Sequence, residues 1–223
     1  MSQVMSALIT LFLLFADPTT VELPPPSLPG CDPIGEPRKY TEAEREETRA
    51  RVQAVCRHVK ASPITCAYMD ASVVRESDGR AGVHHTKGEG ENGLGPLGLS
   101  LTWHADKWPG EDEDPMFCVP EVSALVALEI LHRAFARYDA QNFLDAQAIY
   151  AGSFVCWSEG DKRRCGPNPT RRTEAAICSR MRLRGFSCRS LASKKDLGRH
   201  VPKAQLRELA FELHESFEGS PSS

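Results

Sequence analysis

Val73-Val74-Arg75-Glu76-Ser77 ends an apolar run, and Gly93-Leu94-Gly95-Pro96-Leu97-Gly98-Leu99-Ser100 follows it across a polar loop. Upstream, Ser62 and Pro63 stand as a cap and an N1 proline ahead of a helix over Ile64–Glu76. That helix carries Ile64, Ala67, Tyr68, Val73 and Val74, so Glu76 falls at the end of a segment with a face to bury. The glycines that follow allow a turn too sharp for residues with a Cβ. A carboxylate at a helix end is thereby set ahead of a tight turn, and the rest of the chain is read around that pair.

Helices continue on both sides. Thr41 with Glu44 forms a capping-box pattern for a helix running to about Lys60. Pro120 introduces another, whose Val122, Leu125, Val126, Leu128 and Leu131 cover a face wide enough for a central helix. Asn142 or Phe143 begins a shorter one that closes on Ala148-Ile149-Tyr150-Ala151-Gly152. Thr170 is placed to cap Arg171–Arg184, with Gly185 where a helix stops. Pro202 opens a last amphipathic helix through about Phe217. No alternating strand run stands out, apart from short pieces in the glycine-rich region. The fold class expected is mostly α, with one long functional loop between residues 77 and 119.

With 223 residues, 41% of them hydrophobic and 26% charged, the chain suits one ordinary domain with a small appendage. A net charge of −3 gives no reason to expect nucleic acid as a partner. Residues 1–16 hold no charged side chain, and their apolar core, Ala7 to Phe15, is shorter than the roughly 20 residues of a membrane span. This length fits a secretory signal cleaved after Ala16; a buried or interfacial N-terminal segment is the other reading. Residues 17–39, with Pro24-Pro25-Pro26, read as an extended proline-rich linker.

Cys31, Cys56, Cys66, Cys118, Cys156, Cys165, Cys178 and Cys188 all lie downstream of that leader, and no CxxC pair occurs among them. In an exported chain they predict up to four disulfides of open connectivity, in a secreted or periplasmic protein without a stable membrane span. The expected organisation is a catalytic region over 40–155 and a basic, cysteine-containing helical extension over 156–223 packed on the same domain.

A glycosidic oxygen leaves poorly until it is protonated, so cleavage needs a carboxylic acid that keeps its proton near neutral pH. Glu76 at the end of an apolar helix meets that need, because the negative partial charge of a helix C-terminus favours the neutral form. Ser77 stands ready to orient the carboxyl by a hydrogen bond.

At these residues the chain resembles the lysozyme-like superfamily, the lytic transglycosylases and goose-type lysozymes. Those proteins carry Glu-Ser at a helix end, then a Gly-Leu-Met-Gln turn, then an Ala-Tyr-Asn-Ala-Gly helix end. Glu76-Ser77 matches the first, Gly95-Pro96-Leu97-Gly98-Leu99 the turn, and Ala148-Ile149-Tyr150-Ala151-Gly152 the last. The likeness covers roughly residues 60–155 and makes no claim on the basic C-terminal segment. Ser100 and Leu101 stand where the family has Met-Gln, Ile149-Tyr150 where it has Tyr-Asn, and the loop from Val83 to Asn92 is longer than usual.

The resemblance implies a lysozyme-like helical domain acting on peptidoglycan glycan strands as a monomer, with no cofactor and no metal. Glu76 is then acid and base on the β-1,4 bond between N-acetylmuramic acid and N-acetylglucosamine. Ser77, Gly98, Leu99, Ser100, Tyr150 and Gly152 are the implied substrate-binding residues. In a lytic transglycosylase the muramic 6-hydroxyl attacks the anomeric carbon and leaves a 1,6-anhydro end. One enzyme carboxylate suffices there, because the substrate acetamido group stabilises the cationic centre. A hydrolytic lysozyme or chitinase-like enzyme that inverts needs a second carboxylate to activate water, for which Asp78, Glu89, Glu91 and Asp106 are candidates. A catalytically silent wall-binding protein is the reading from another class.

Other groups carry less. His84-His85, with His58 and His104, lack metal-ligand spacing and read as part of the active-site loop. Trp103 and Trp108 suit stacking on sugar rings or plain packing. Glu111-Asp112-Glu113-Asp114 reads as a solvated turn. The basic run from Lys162 to Lys203 suits contact with anionic wall polymers or a disulfide-stapled surface subdomain.

Overall fold

The computed structural model describes residues 30–33, 38–87, 91–108, 116–151, 154–159, 162–167 and 175–219. The expected leader, Glu89, the acidic run 111–114, Gly152 and Thr170 lie outside them, as do the side chains of Glu91 and Trp103.

Thr41 starts the first helix as its capping box requires. Its hydroxyl accepts from the Glu44 N–H at 3.2 Å, and its own N–H donates to the Glu44 carboxylate at 2.7 Å. Helix α1 (Glu42–His58) follows. Helix α2 (Pro63–Ser77) begins at the expected proline, but Ser62 makes no side-chain cap bond to it. Instead the Ser62 N–H and the Thr65 hydroxyl both donate to the Asp196 carbonyl, each at 2.7 Å. A distant turn thus satisfies this helix start, which local sequence cannot reveal.

Three short antiparallel strands come next, β1 (His84–Lys87), β2 (Glu91–Leu94) and β3 (Leu99–Ser100), in the order β1-β2-β3. They occupy the glycine-rich region. A one-turn helix α3 (Leu101–His104) leads on to the central α4 (Pro120–Arg137). Asn142 caps α5 (Phe143–Tyr150) by accepting from the Asp145 N–H at 2.9 Å. A hairpin of β4 (Phe154–Glu159) and β5 (Lys162–Pro167) precedes α6 (Ala175–Leu183) and α7 (Lys203–Glu218).

The chain is mostly helical, and α4 is its axis. Val122, Val126, Leu131 and Ala134 are wholly buried, and α1, α5 and α7 pack around them. Each leucine or valine enclosed in this way contributes about 1.5–3 kcal/mol.

The sequence reading differs from this architecture in two places. The hairpin β4–β5 was not expected, and it places the anticipated boundary between residues 155 and 156 inside a strand. Helix α6 is described from Ala175, and the expected start at Arg171 lies outside the described residues. The end of the proline-rich linker is tied down: Cys31 bonds to Cys118, the Asp32 N–H donates to Gly82 at 2.8 Å, and Tyr40 donates to Asp32 at 3.1 Å. The disulfide and these bonds tie Cys31 and Asp32 to the folded body.

Two further disulfides join Cys156 to Cys165 across the hairpin and Cys178 to Cys188 beyond α6. Cys56 and Cys66 stand as neighbouring thiols between α1 and α2. The hydrogen bond that Cys56 donates to Cys66, and then burial, push the Cys56 thiol well above the usual range. Among the described residues no helix is long and apolar enough to cross a membrane.

Charge is also buried. Glu121, in the first turn of α4, has no exposed surface, and Arg51 of α1 grips it at 2.7 Å and 3.0 Å. The same guanidinium reaches His214 and Glu218, so it ties α7 to the core. Glu121→Ala would leave Arg51 buried without its main counter-charge. Urea unfolding should show a loss of about 3–5 kcal/mol. A loss well below about 1 kcal/mol would mean that the pair merely offsets its own desolvation.

Candidate active site

Glu76 lies in the last turn of α2, its side chain 25% exposed and 4.0 Å from the Arg75 guanidinium. Asp78 then ends the helix in the left-handed conformation, at φ 55°. Its carboxylate is paired with Arg45.

The glycine turn packs directly on Glu76. A Cβ on Gly98 would lie 3.3 Å from Glu76 Oε2 and 3.4 Å from its Cβ, closer than most side chains tolerate. Gly98 also sits at φ +61°, where residues with a Cβ are strained. The turn is anchored behind by Gly95, whose N–H donates to Val83 at 2.9 Å and whose carbonyl accepts from Gly98 at 3.2 Å.

Tyr150, the last residue of α5, holds the same turn from the other side. Its hydroxyl donates to the Leu97 carbonyl at 2.7 Å. Burial raises its pKa well above the ordinary tyrosine value, and the charges of Glu76 and Tyr68 push the same way. Tyr150 therefore stays a neutral donor at any physiological pH. Tyr68 stacks on Phe143 at 4.8 Å and is hydrogen-bonded to the buried Gln147, which joins α2 to α5.

Glu76, Gly98 and Tyr150 thus converge, as expected from their order in the chain. Other expected site residues serve differently. The Ser77 hydroxyl is buried and donates to the Val73 carbonyl at 2.9 Å, so it braces the helix and does not orient Glu76. Leu99 is wholly buried, and its side chain supports the turn from below. Ser100 is partly exposed, with a buried Oγ that has no hydrogen-bond partner among the described residues. Trp108 is buried at 2% exposure and belongs to the packing. Among the described residues no cluster of His, Cys, Asp or Glu could hold a metal ion.

His104 has a role that the sequence reading missed. Its Nδ1 accepts the Ser100 N–H at 3.0 Å, and its ring lies 5.6 Å from that of Tyr150. The signal for it was a histidine four residues after the residue preceding a short helix, where a ring nitrogen can satisfy an open backbone N–H. Burial, then the nearby Lys107 charge, lowers its pKa to about 4.

The sign of the consequence follows from proton counts. Between pH 6.5 and about 4 the unfolded chain protonates this histidine and the folded one does not. The contribution to stability is complete above pH 6.5 and is lost as pH falls toward 4, up to about 3 kcal/mol. His104→Gln should therefore flatten the pH dependence of urea unfolding in that window. Parallel curves for the two proteins would show that His104 is freely protonated in the fold.

No family model, curated protein or solved structure matches the chain. The arrangement around Glu76 therefore stands on its own geometry.

Proposed function

We propose that this protein is an extracytoplasmic glycosidase that cleaves the β-1,4 bond between N-acetylmuramic acid and N-acetylglucosamine in peptidoglycan. The reaction favoured is that of a lytic transglycosylase. The observation that carries the reading is the meeting of Glu76, Gly98 and Tyr150 at one place, brought there by α2, the turn after β2 and α5. The three disulfides fit an oxidising compartment.

Glu76 gives its proton to the glycosidic oxygen as the bond to the anomeric carbon breaks. It then takes the proton of the attacking muramic 6-hydroxyl, closing the 1,6-anhydro ring. The Gly98 backbone, with no Cβ between it and Glu76, lets a sugar approach the acid closely. Tyr150 keeps that turn at its distance by holding the Leu97 carbonyl.

A single acid is favoured over a pair because two candidate partners are otherwise engaged. Asp78 pairs with Arg45, and Asp106 pairs with Lys107 and lies 3.8 Å from Arg133. Mass analysis of muropeptides after digestion of purified peptidoglycan tests the reading. Anhydro ends, retained in full by Glu91→Gln, are expected. Reducing ends that vanish in Glu91→Gln would make it a hydrolase, and no cleavage by folded protein would leave wall binding alone.

A further inference from the structure

Leu183, Leu191 and Trp157 are the exposed large hydrophobic residues among those described, at 84%, 85% and 45% exposure. Leu183 and Leu191 lie in the part of the chain that carries its positive charge, and Trp157 stands opposite Arg164 in the hairpin. Between 175 and 203 eight lysines and arginines stand against one acid, Asp196, in a protein of net charge −3. Arg184 is committed to Asp70 at 2.7 Å. Arg180, Arg182, Arg189, Lys194 and Lys195 are exposed and make no salt bridge among the described residues.

The fold brings part of this set together. Ile177 and Met181 turn one face of α6 into the core, so Arg180 and Leu183 share the outward face. The Cys178–Cys188 disulfide and the Phe186 N–H, donating to Met181 at 2.9 Å, fold the chain back beside α6, bringing Arg189 and Leu191 with it. Leu191 bridges to Asn142, and Gly166 faces both the Trp157 ring and the Tyr138 carbonyl. Leu191 and Trp157 therefore border the same connection between α4 and α5.

The geometry points to a docking surface for an anionic lipid bilayer, in which the arginines and lysines meet headgroup phosphates while Leu183, Leu191 and Trp157 enter the interface. Single exposed leucines need no explanation, but one inside the Cys178–Cys188 loop and one three residues beyond it, flanked by cations that make no salt bridge among the described residues, form the mixed face that interfaces of this kind use. Tryptophan suits the boundary because its ring is apolar and its N–H is polar. A polyanionic sugar polymer would use the charges and leave both leucines in water, so lipid is the better fit. The surface takes no part in the chemistry at Glu76 and stands whether or not the glycan is cleaved.

Co-sedimentation with vesicles tests it. The full chain is expected to bind vesicles of equal parts phosphatidylglycerol and phosphatidylcholine, and to bind pure phosphatidylcholine at least about tenfold more weakly. Raising the salt to about 1 M should release it. Tryptophan emission should shift to the blue on binding, and Trp157→Ser should remove most of that shift. Leu183→Ser/Leu191→Ser should weaken binding at least about tenfold with unchanged thermal unfolding, because both side chains are already in water. If that double variant unfolds, Leu183→Gln alone serves. Absence of binding to the anionic vesicles, equal binding to both vesicle types, or leucine variants that bind like the wild type would each overturn the proposal. The last result, together with tight binding to purified anionic wall polymer, would assign the surface to that polymer.

Discussion

Glu76→Gln is expected to lower peptidoglycan cleavage by at least about a hundredfold, the usual scale for losing a general acid. The amide keeps the volume of the carboxyl but cannot give a proton to the leaving oxygen. Because the side chain is 25% exposed and ends its helix, thermal unfolding should change little. Binding to insoluble peptidoglycan should persist, since the Gly98 turn and Tyr150 remain in place. The readout is turbidity loss of peptidoglycan suspensions, with muropeptide mass analysis to count ends. A folded Glu76→Gln protein with near wild-type turnover would remove Glu76 from the mechanism and, with it, the proposed activity.

Gly95→Ala is expected to give the largest loss of stability from one methyl group. Gly95 sits at φ +71°, and a Cβ there would lie 1.8 Å from the Phe117 carbonyl oxygen and 2.6 Å from its carbon. The obstacle is backbone next to Cys118, which is held by its disulfide to Cys31, so it cannot swing aside as a flexible side chain would. Left-handed strain and overpacking together cost about 2–5 kcal/mol. The midpoint of thermal unfolding should fall by roughly 5–15 °C. Activity should fall as well, because Gly95 anchors the turn that presents Gly98 to Glu76. Gly93→Ala is the control: the nearest atom to its Cβ would be the Gly98 carbonyl oxygen, at 3.1 Å, and φ there is not left-handed. Equal midpoints for Gly95→Ala and the wild type would show that the contact with Phe117 relaxes freely.

The helices were legible because their signals are local. The Thr41 capping box, Pro63, Pro120 and Asn142 each act within one turn of the residue that carries them, and each helix begins where its signal stands. The breadth of the apolar face after Pro120 was enough to place α4 at the centre, since a helix buried on that much of its circumference has to be surrounded. The hairpin β4–β5 was hidden for a related reason. Its strands are held together by a disulfide between paired residues Cys156 and Cys165, and the Lys162-Arg163-Arg164 run breaks the apolar alternation that marks a strand.

At the candidate site, the order of Glu76, the glycines and Tyr150 was readable from the chain. Such an order constrains which groups can meet, and it names the residue able to donate a proton. It does not by itself say how a group spends its hydrogen bonds, which one turn of helix decides for some groups and neighbours distant in sequence decide for others. The Ser77 hydroxyl turned to Val73, Leu99 went into the core, and His104 took the Ser100 N–H. Asp196 closed the start of α2 from more than a hundred residues away, and Arg51 found Glu121 across the core. Helix caps and apolar faces follow from covalent neighbours. The partners of buried polar groups follow from packing, because each must find whichever donor or acceptor the folded chain brings within reach.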